Sequence, residues 1–160
     1  MQSQILLYTD GSSRGNPGPG GYGVILHLNN TEYYKELSQG YRLTTNNRME
    51  LLAVIVGLEA LTKENLSVLV VSDSKYVVDS VTKGWVFGWE KKGFSGKKNP
   101  DLWIRFLKVY RKHQVKFQWI KGHNNHPMNE RCDQLAVAAA LNKDLLKDNY
   151  YEDHREEGIF

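Results

Sequence analysis

One cysteine, Cys132, is all that the 160 residues contain, which excludes an internal disulfide and a multi-cysteine zinc site. The thiol directly precedes Asp133 and reads as a packed helix residue rather than a nucleophile. No apolar stretch approaches the length of a membrane span, and Met1-Gln2-Ser3-Gln4 has no basic region leading into a signal core. A reducing, cytoplasmic setting is therefore the expectation. Internal repeats and low-complexity tracts are absent. The glycine-proline run after Asp10 lacks the Lys-Ser/Thr ending of a nucleotide P-loop. What is left is one domain of ordinary size, large enough to bury a core without disulfides or a structural metal.

Net charge is small but uneven. The formal charge is +3, yet residues 144–160 hold six acids against Lys147 and Arg155, a net of −4 that leaves +7 on residues 1–143. Lysines cluster at Lys91–Lys92 and Lys97–Lys98. Such a body suits a polyanionic partner. The segment 143–160 is acidic, rich in tyrosine and poorly patterned, so it is expected to be a flexible or loosely docked tail on a domain spanning 1–142.

Hydrophobic periodicity supplies the elements. Gln4–Asp10 alternates as a strand that ends at Asp10, and Gly11–Gly21 is saturated with turn residues. Tyr22–Leu28 and Glu32–Tyr41 read as two more strands, joined too closely for a helical crossover and hence antiparallel. Thr44 or Thr45 can cap a helix running to about Thr62, apolar on nearly all sides and therefore buried. Val68–Ser72 is a short β-branched strand followed by a helix over Ser74–Lys83. A helix over Asp101–His113, a strand over Val115–Ile120 and an alanine-rich helix over Asn129–Leu141 complete an α/β pattern with parallel pairing in its second half. Between helices, residues 84–100 interleave aromatics with lysines.

Four acids stand where carboxylates are costly. Asp10 and Asp73 end apolar strands, while Glu50 and Asp133 lie on helices built for burial. A carboxylate among apolar neighbours suffers desolvation unless compensated, and four from distant segments suggest one shared cation. Parallel pairing of the two strands would set Asp10 and Asp73 side by side. An all-oxygen anionic site suits a hard cation, Mg²⁺ or Mn²⁺, rather than zinc. Two such ions can activate a water and stabilise the leaving oxygen in phosphoryl displacement. Any one of these acids, taken alone, is more often a cap or a surface charge.

The words around the acids are Tyr8-Thr9-Asp10-Gly11-Ser12, Thr44-Thr45-Asn46-Asn47-Arg48-Met49-Glu50-Leu51, Ser72-Asp73-Ser74-Lys75-Tyr76-Val77, Lys121-Gly122-His123 and Asn129-Glu130-Arg131-Cys132-Asp133-Gln134-Leu135-Ala136, in that order. From about residue 4 to 142 the chain closely resembles bacterial ribonuclease H of type 1. The resemblance implies a ribonuclease H-like fold, a five-stranded mixed sheet flanked by helices. It implies hydrolysis of the RNA strand of RNA/DNA hybrids, leaving 3′-hydroxyl and 5′-phosphate ends, by a monomer using two Mg²⁺ ions, with Mn²⁺ as a substitute. Asp10, Glu50, Asp73 and Asp133 fall on the family's metal-binding carboxylates, with Asp10 as the bridge. His123 falls on its mobile-loop histidine, credited with proton transfer or product release.

The same resemblance places Asn16, Thr45 and Asn46 against the hybrid. Gly11, Ser12 and Ser13 are placed to sense the 2′-hydroxyl that separates RNA from DNA. Lys75 departs from the family's usual glutamine and adds a cation beside the site. Residues 84–100 match a basic protrusion that holds the DNA strand, through Lys91, Lys92, Lys97 and Lys98, with Trp85 toward the groove and Trp89 toward packing. His126 is read as structural, and Glu130 either as an acid at a helix start or as a group orienting water. Two other classes stay open on the residues: a hybrid-binding module without catalysis, and a DNA strand-transfer or junction-resolving enzyme on a related fold.

Overall fold

The computed structural model describes residues 3–122 and 124–155. Three strands lead, β1 (Ile5–Ser13), β2 (Gly18–Leu28) and β3 (Tyr34–Thr44), followed by α1 (Asn46–Glu59), β4 (Ser67–Ser72), α2 (Lys75–Thr82) and α3 (Trp85–Lys91). Then come α4 (Pro100–Tyr110), β5 (Gln114–Trp119), α5 (Pro127–Ala140) and α6 (Asn149–His154). The sheet order is β3-β2-β1-β4-β5, antiparallel across the first two pairs and parallel across the last two. This is the mixed five-stranded α/β sheet anticipated from the hydrophobic pattern. Among the described residues, no helix is long and apolar enough to cross a membrane.

The sheet is covered on both faces. Helix α1 is buried nearly all round, from Arg48 to Ile55 and again at Gly57 and Leu58, because the sheet lies on one side of it and α4 on the other. Leu7, Val24, Leu51, Ile55, Leu58, Trp103 and Phe106 make the centre of this core, each essentially without solvent exposure. Helix α5 covers the opposite face of β1, β2 and β3. It lies close because Gly21, Gly23 and Gly40 offer no side chain; a Cβ at any of them would strike the helix backbone at Cys132, Ala136 or Ala139.

Two expectations are corrected. The glycine-proline run is not all turn: β1 continues to Ser13 and β2 begins at Gly18, with Gly11, Ser12 and Ser13 paired to Tyr22, Gly21 and Gly20. Within residues 84–100 the chain forms α3, seated by Val86, Trp89 and Phe94 against the core. The tail, expected to be loose, is docked through residue 155. Leu146 bridges to Tyr41 beside β3, and Asp148 caps α6 while accepting from the Thr44 hydroxyl at 2.7 Å.

The tail's anchor is Arg48, which is 2% exposed. Its guanidinium donates to Asp148 at 2.8 and 2.9 Å and to Asp101 at 2.7 and 2.9 Å, and reaches Asn99 Oδ1 at 3.2 Å. One side chain thus joins α1, the start of α4 and the tail. Two bidentate carboxylates hold its proton affinity above the ordinary arginine value against the opposing effect of burial. Removing one member of a buried ion network costs about 3–5 kcal/mol. Arg48→Gln, which orphans two carboxylates, is expected to lower stability in urea by more than Asp148→Asn, which leaves Arg48 paired with Asp101; equal losses would show that the tail contact alone matters.

Candidate active site

The site is built where β1 outruns its pairing with β4. Tyr8 pairs in parallel with Val71, so two residues further on Asp10 stands level with Asp73, just beyond β4. Asp10 is paired with Gly23, whose missing side chain faces Cys132 on α5; Asp10 therefore points to the α5 face, from which Asp133 approaches. Glu50 comes from the other face. Its reach depends on Gly11, where a Cβ would collide with the backbone of Met49 and Glu50. The Gly11 N–H then donates to Glu50 Oε1 at 2.6 Å and to Asp10 Oδ1 at 2.9 Å. This N–H is committed to the carboxylates.

Asp10, Glu50 and Asp73 each place a carboxylate oxygen within 4.8 Å of the others. Asp133 lies outside that group, half-buried on α5, yet its charge contributes to the behaviour of Asp10. Burial, followed by the charge of Asp73, pushes the Asp10 carboxyl up to about 7. Burial, the Asp10 and Asp73 charges and a hydrogen bond with Asp10 push Glu50 well above the usual carboxylate range. The acids compete for protons because burial and mutual repulsion outweigh the Gly11 N–H that they share. Asp73 Oδ1 is buried with no hydrogen-bond partner among the described residues. An all-oxygen donor set with an unpaired oxygen and strained ionisation fits a hard divalent cation.

The flanking residues form an ordered rim. Thr45 caps α1 by accepting from the Arg48 N–H at 3.2 Å. Asn46 Oδ1 accepts from the Ser13 N–H at 3.0 Å, and the Asn46 N–H donates to Asn16 Oδ1 at 3.1 Å. Thus Ser13, Asn16, Thr45 and Asn46 meet beside the carboxylates, with Ser12 in the same hairpin. The Ser13 hydroxyl is buried and unpartnered among the described residues. Trp85 is 47% exposed, while Trp89 packs edge-on against Trp103 at 5.9 Å. Lys91, Lys92, Lys97 and Lys98 are exposed around this protrusion.

The histidine loop is divided. His123 lies outside the described residues. His126 caps α5, its Nδ1 accepting from the Asn129 N–H at 3.3 Å, and Glu130 is an exposed acid in that helix's first turn. His126 follows its structural reading, and Glu130 stands at the helix start that both of its readings require. Burial pushes the Cys132 thiol far up, out of range for a nucleophile. Two residues escaped the sequence reading. Arg48 carried a signal, a cation inside an otherwise apolar helix. Trp119, whose indole N–H donates to the Asp73 carbonyl at 3.0 Å, carried only the oddity of a large aromatic at a strand end.

A sequence profile of the RNase H family matches residues 2–141. The chain belongs to the ribonuclease H family. The ribonuclease H of Desulforamulus reducens is 55% identical over 150 residues, spanning 91% of this chain and 92% of that protein. Ribonuclease H of Escherichia coli is 50% identical over 155 residues, 94% of this chain and 97% of its own. Among solved structures, LC9-RNase H1, a type 1 RNase H with the type 2 active-site motif, aligns with a TM-score of 0.79 at 28% identity, covering 98% of this chain and 83% of that one. LC11-RNase H1, solved in complex with an RNA/DNA hybrid, aligns at 0.63 and 28% identity, covering 85% and 96%. The family is that of a metal-dependent nuclease, in accord with the acid cluster.

Ionisation of the cluster has a measurable cost. Without metal, the folded protein keeps a proton on Asp10 up to about pH 7, whereas the unfolded chain loses it near the ordinary value of 3.8. The resulting stability is present below about pH 4 and is lost as pH rises toward 7. In EDTA, Asp10→Asn is expected to raise the melting temperature by an amount that grows from pH 4 to pH 8. A difference that is constant over this range would refute the coupling.

Proposed function

We infer that this protein is an endoribonuclease that hydrolyses the RNA strand of RNA/DNA hybrids, leaving 3′-hydroxyl and 5′-phosphate ends. The reading is supported chiefly by the gathering of Asp10, Glu50 and Asp73 within 4.8 Å at the end of the central strand. With Asp133 beside them, these residues would hold two Mg²⁺ ions, Mn²⁺ being an alternative. Such ions supply charge neutralisation at the phosphate and activation of a water for in-line attack.

The chain's own residues do the rest. Asp10, shared between the α5 side and the Glu50 side, is the assigned bridge, and the sheet register holds it beside Asp73 so that the acids need no rearrangement. Gly11 fixes Glu50 and Asp10 through one N–H. Ser12, Ser13, Asn16, Thr45 and Asn46 present short polar groups on a rigid hairpin and helix start, suited to reading a 2′-hydroxyl and a sugar-phosphate edge. Lys91, Lys92, Lys97 and Lys98, with Trp85, form the basic protrusion assigned to the second strand. His123 is assigned the proton transfer, or help in product departure, by family resemblance. The protein is assigned to the cytoplasm as a monomer.

A labelled hybrid incubated with Mg²⁺, beside duplex DNA and duplex RNA, tests the reading. Cleavage is expected only in the RNA strand of the hybrid, and Asp10→Asn is expected to remove nearly all of it while the fold is kept. No cleavage by pure, metal-loaded protein would reject the assignment. Neutralising the four protrusion lysines is expected to flatten the dependence of log affinity on log salt by up to ~0.9 per lysine. An unchanged slope would remove the protrusion as a phosphate clamp.

A further inference from the structure

Lys75 occupies the first position of α2, directly after the Ser74 cap, with no acid in the first turn. A cation there opposes the positive end of the helix dipole, and among the described residues no ion pair offsets it. Its Nζ instead rests 4.7 Å from the centre of the Trp119 ring. Trp119 is 42% exposed, and its indole N–H is held by the Asp73 carbonyl at 3.0 Å. The ring is therefore tied to a residue of the carboxylate cluster and presents a face to solvent at its edge. A lysine placed against the dipole and parked on an aromatic surface retains its charge for something else, because a cation–π contact at an exposed site is weak and reversible.

We propose that Lys75 and Trp119 form a phosphate-gripping pair on the substrate strand next to the carboxylates, with Trp119 holding the ammonium ready and Lys75 transferring it to a phosphate oxygen on binding. The assignment rests on the hybrid-cleaving reading above. The two residues converge on Asp73 from separate elements, α2 and β5. The pair stands on the opposite side of Asp73 from the Ser13, Asn16 and Asn46 rim, so it extends contact along the strand in a direction those residues do not serve. The ammonium is a mobile point charge on a flexible stem, which suits a phosphate rather than a base edge.

The test measures affinity of the full-length protein for a short RNA/DNA hybrid as a function of salt, in an Asp10→Asn background that prevents cleavage. K75Q is expected to weaken binding on the order of tenfold at low salt and to reduce the salt slope by roughly one unit. K75R, which keeps the charge and can stack on indole, should restore both. W119A should also reduce affinity, with no further loss when added to K75Q. An unchanged salt slope in K75Q, or failure of K75R to restore it, would overturn Lys75 as a phosphate contact. Additive losses would overturn Trp119 as its holder. Absence of hybrid binding by the Asp10→Asn parent would instead reject the functional reading itself.

Discussion

The structure turns on the repulsion among three carboxylates forced within 4.8 Å of one another. Left to themselves, Asp10, Glu50 and Asp73 would separate, ionise and hydrate. They cannot, because each is delivered by an element fixed by other forces. Parallel pairing of β1 with β4 sets the level of Asp10 and Asp73, and that register is locked by the burial of Leu7, Val68 and Val70 at the sheet centre. The hydrophobic core holds the charges together, and the rise in proton affinity at Asp10 and Glu50 shows the tension that a divalent cation relieves.

Close approach of backbones is the second condition. Glycine at position 11 lets the start of α1 close over the end of β1, and glycines on the far face let α5 sink onto the sheet. The acids are thereby approached from both faces of one strand. Arg48, two residues before Glu50, fixes the same end of α1 by joining Asp101 and Asp148. A buried cation so close to the anionic cluster does not neutralise it, since both of its forks are filled by other carboxylates. The positive charge at this end of α1 is spent on architecture, which leaves the carboxylates unpaired toward the metal side.

Much of this was legible in the sequence. Strand alternation put Asp10 on a strand, although β1 runs past it to Ser13, the β-branched run before Asp73 gave a parallel partner, and the uniform apolarity of residues 49–58 gave a helix covered on all sides. The glycine-proline hairpin misled because turn composition and close-packed strand composition look the same; only the helices above Gly11 and Gly21 distinguish them. The tail misled for a different reason. Its docking depends on Arg48, about a hundred positions earlier, and local composition carries no trace of a buried partner so remote. Nor could spacing reveal that Asp133 stands apart from the tighter trio, because that separation is set by how deeply α5 rests on β2.

The docked tail also changes the electrostatic account of the whole molecule. Counted along the chain, its acids form a patch of −4 that would repel a polyanion. In the fold, Asp148 is paired with Arg48, Glu152 with Arg42 and Asp153 with Lys147. These three charges each meet a cation within a few ångströms, well inside the screening length at physiological salt, so the field of those three is short-ranged. The tail then presents Tyr150, Tyr151 and His154 to a hollow of about 440 Å³ shared with Asn16, Thr45, Lys97 and Lys98. A segment that looked like an acidic deterrent in sequence therefore forms one wall of a basic and polar hollow beside the catalytic rim.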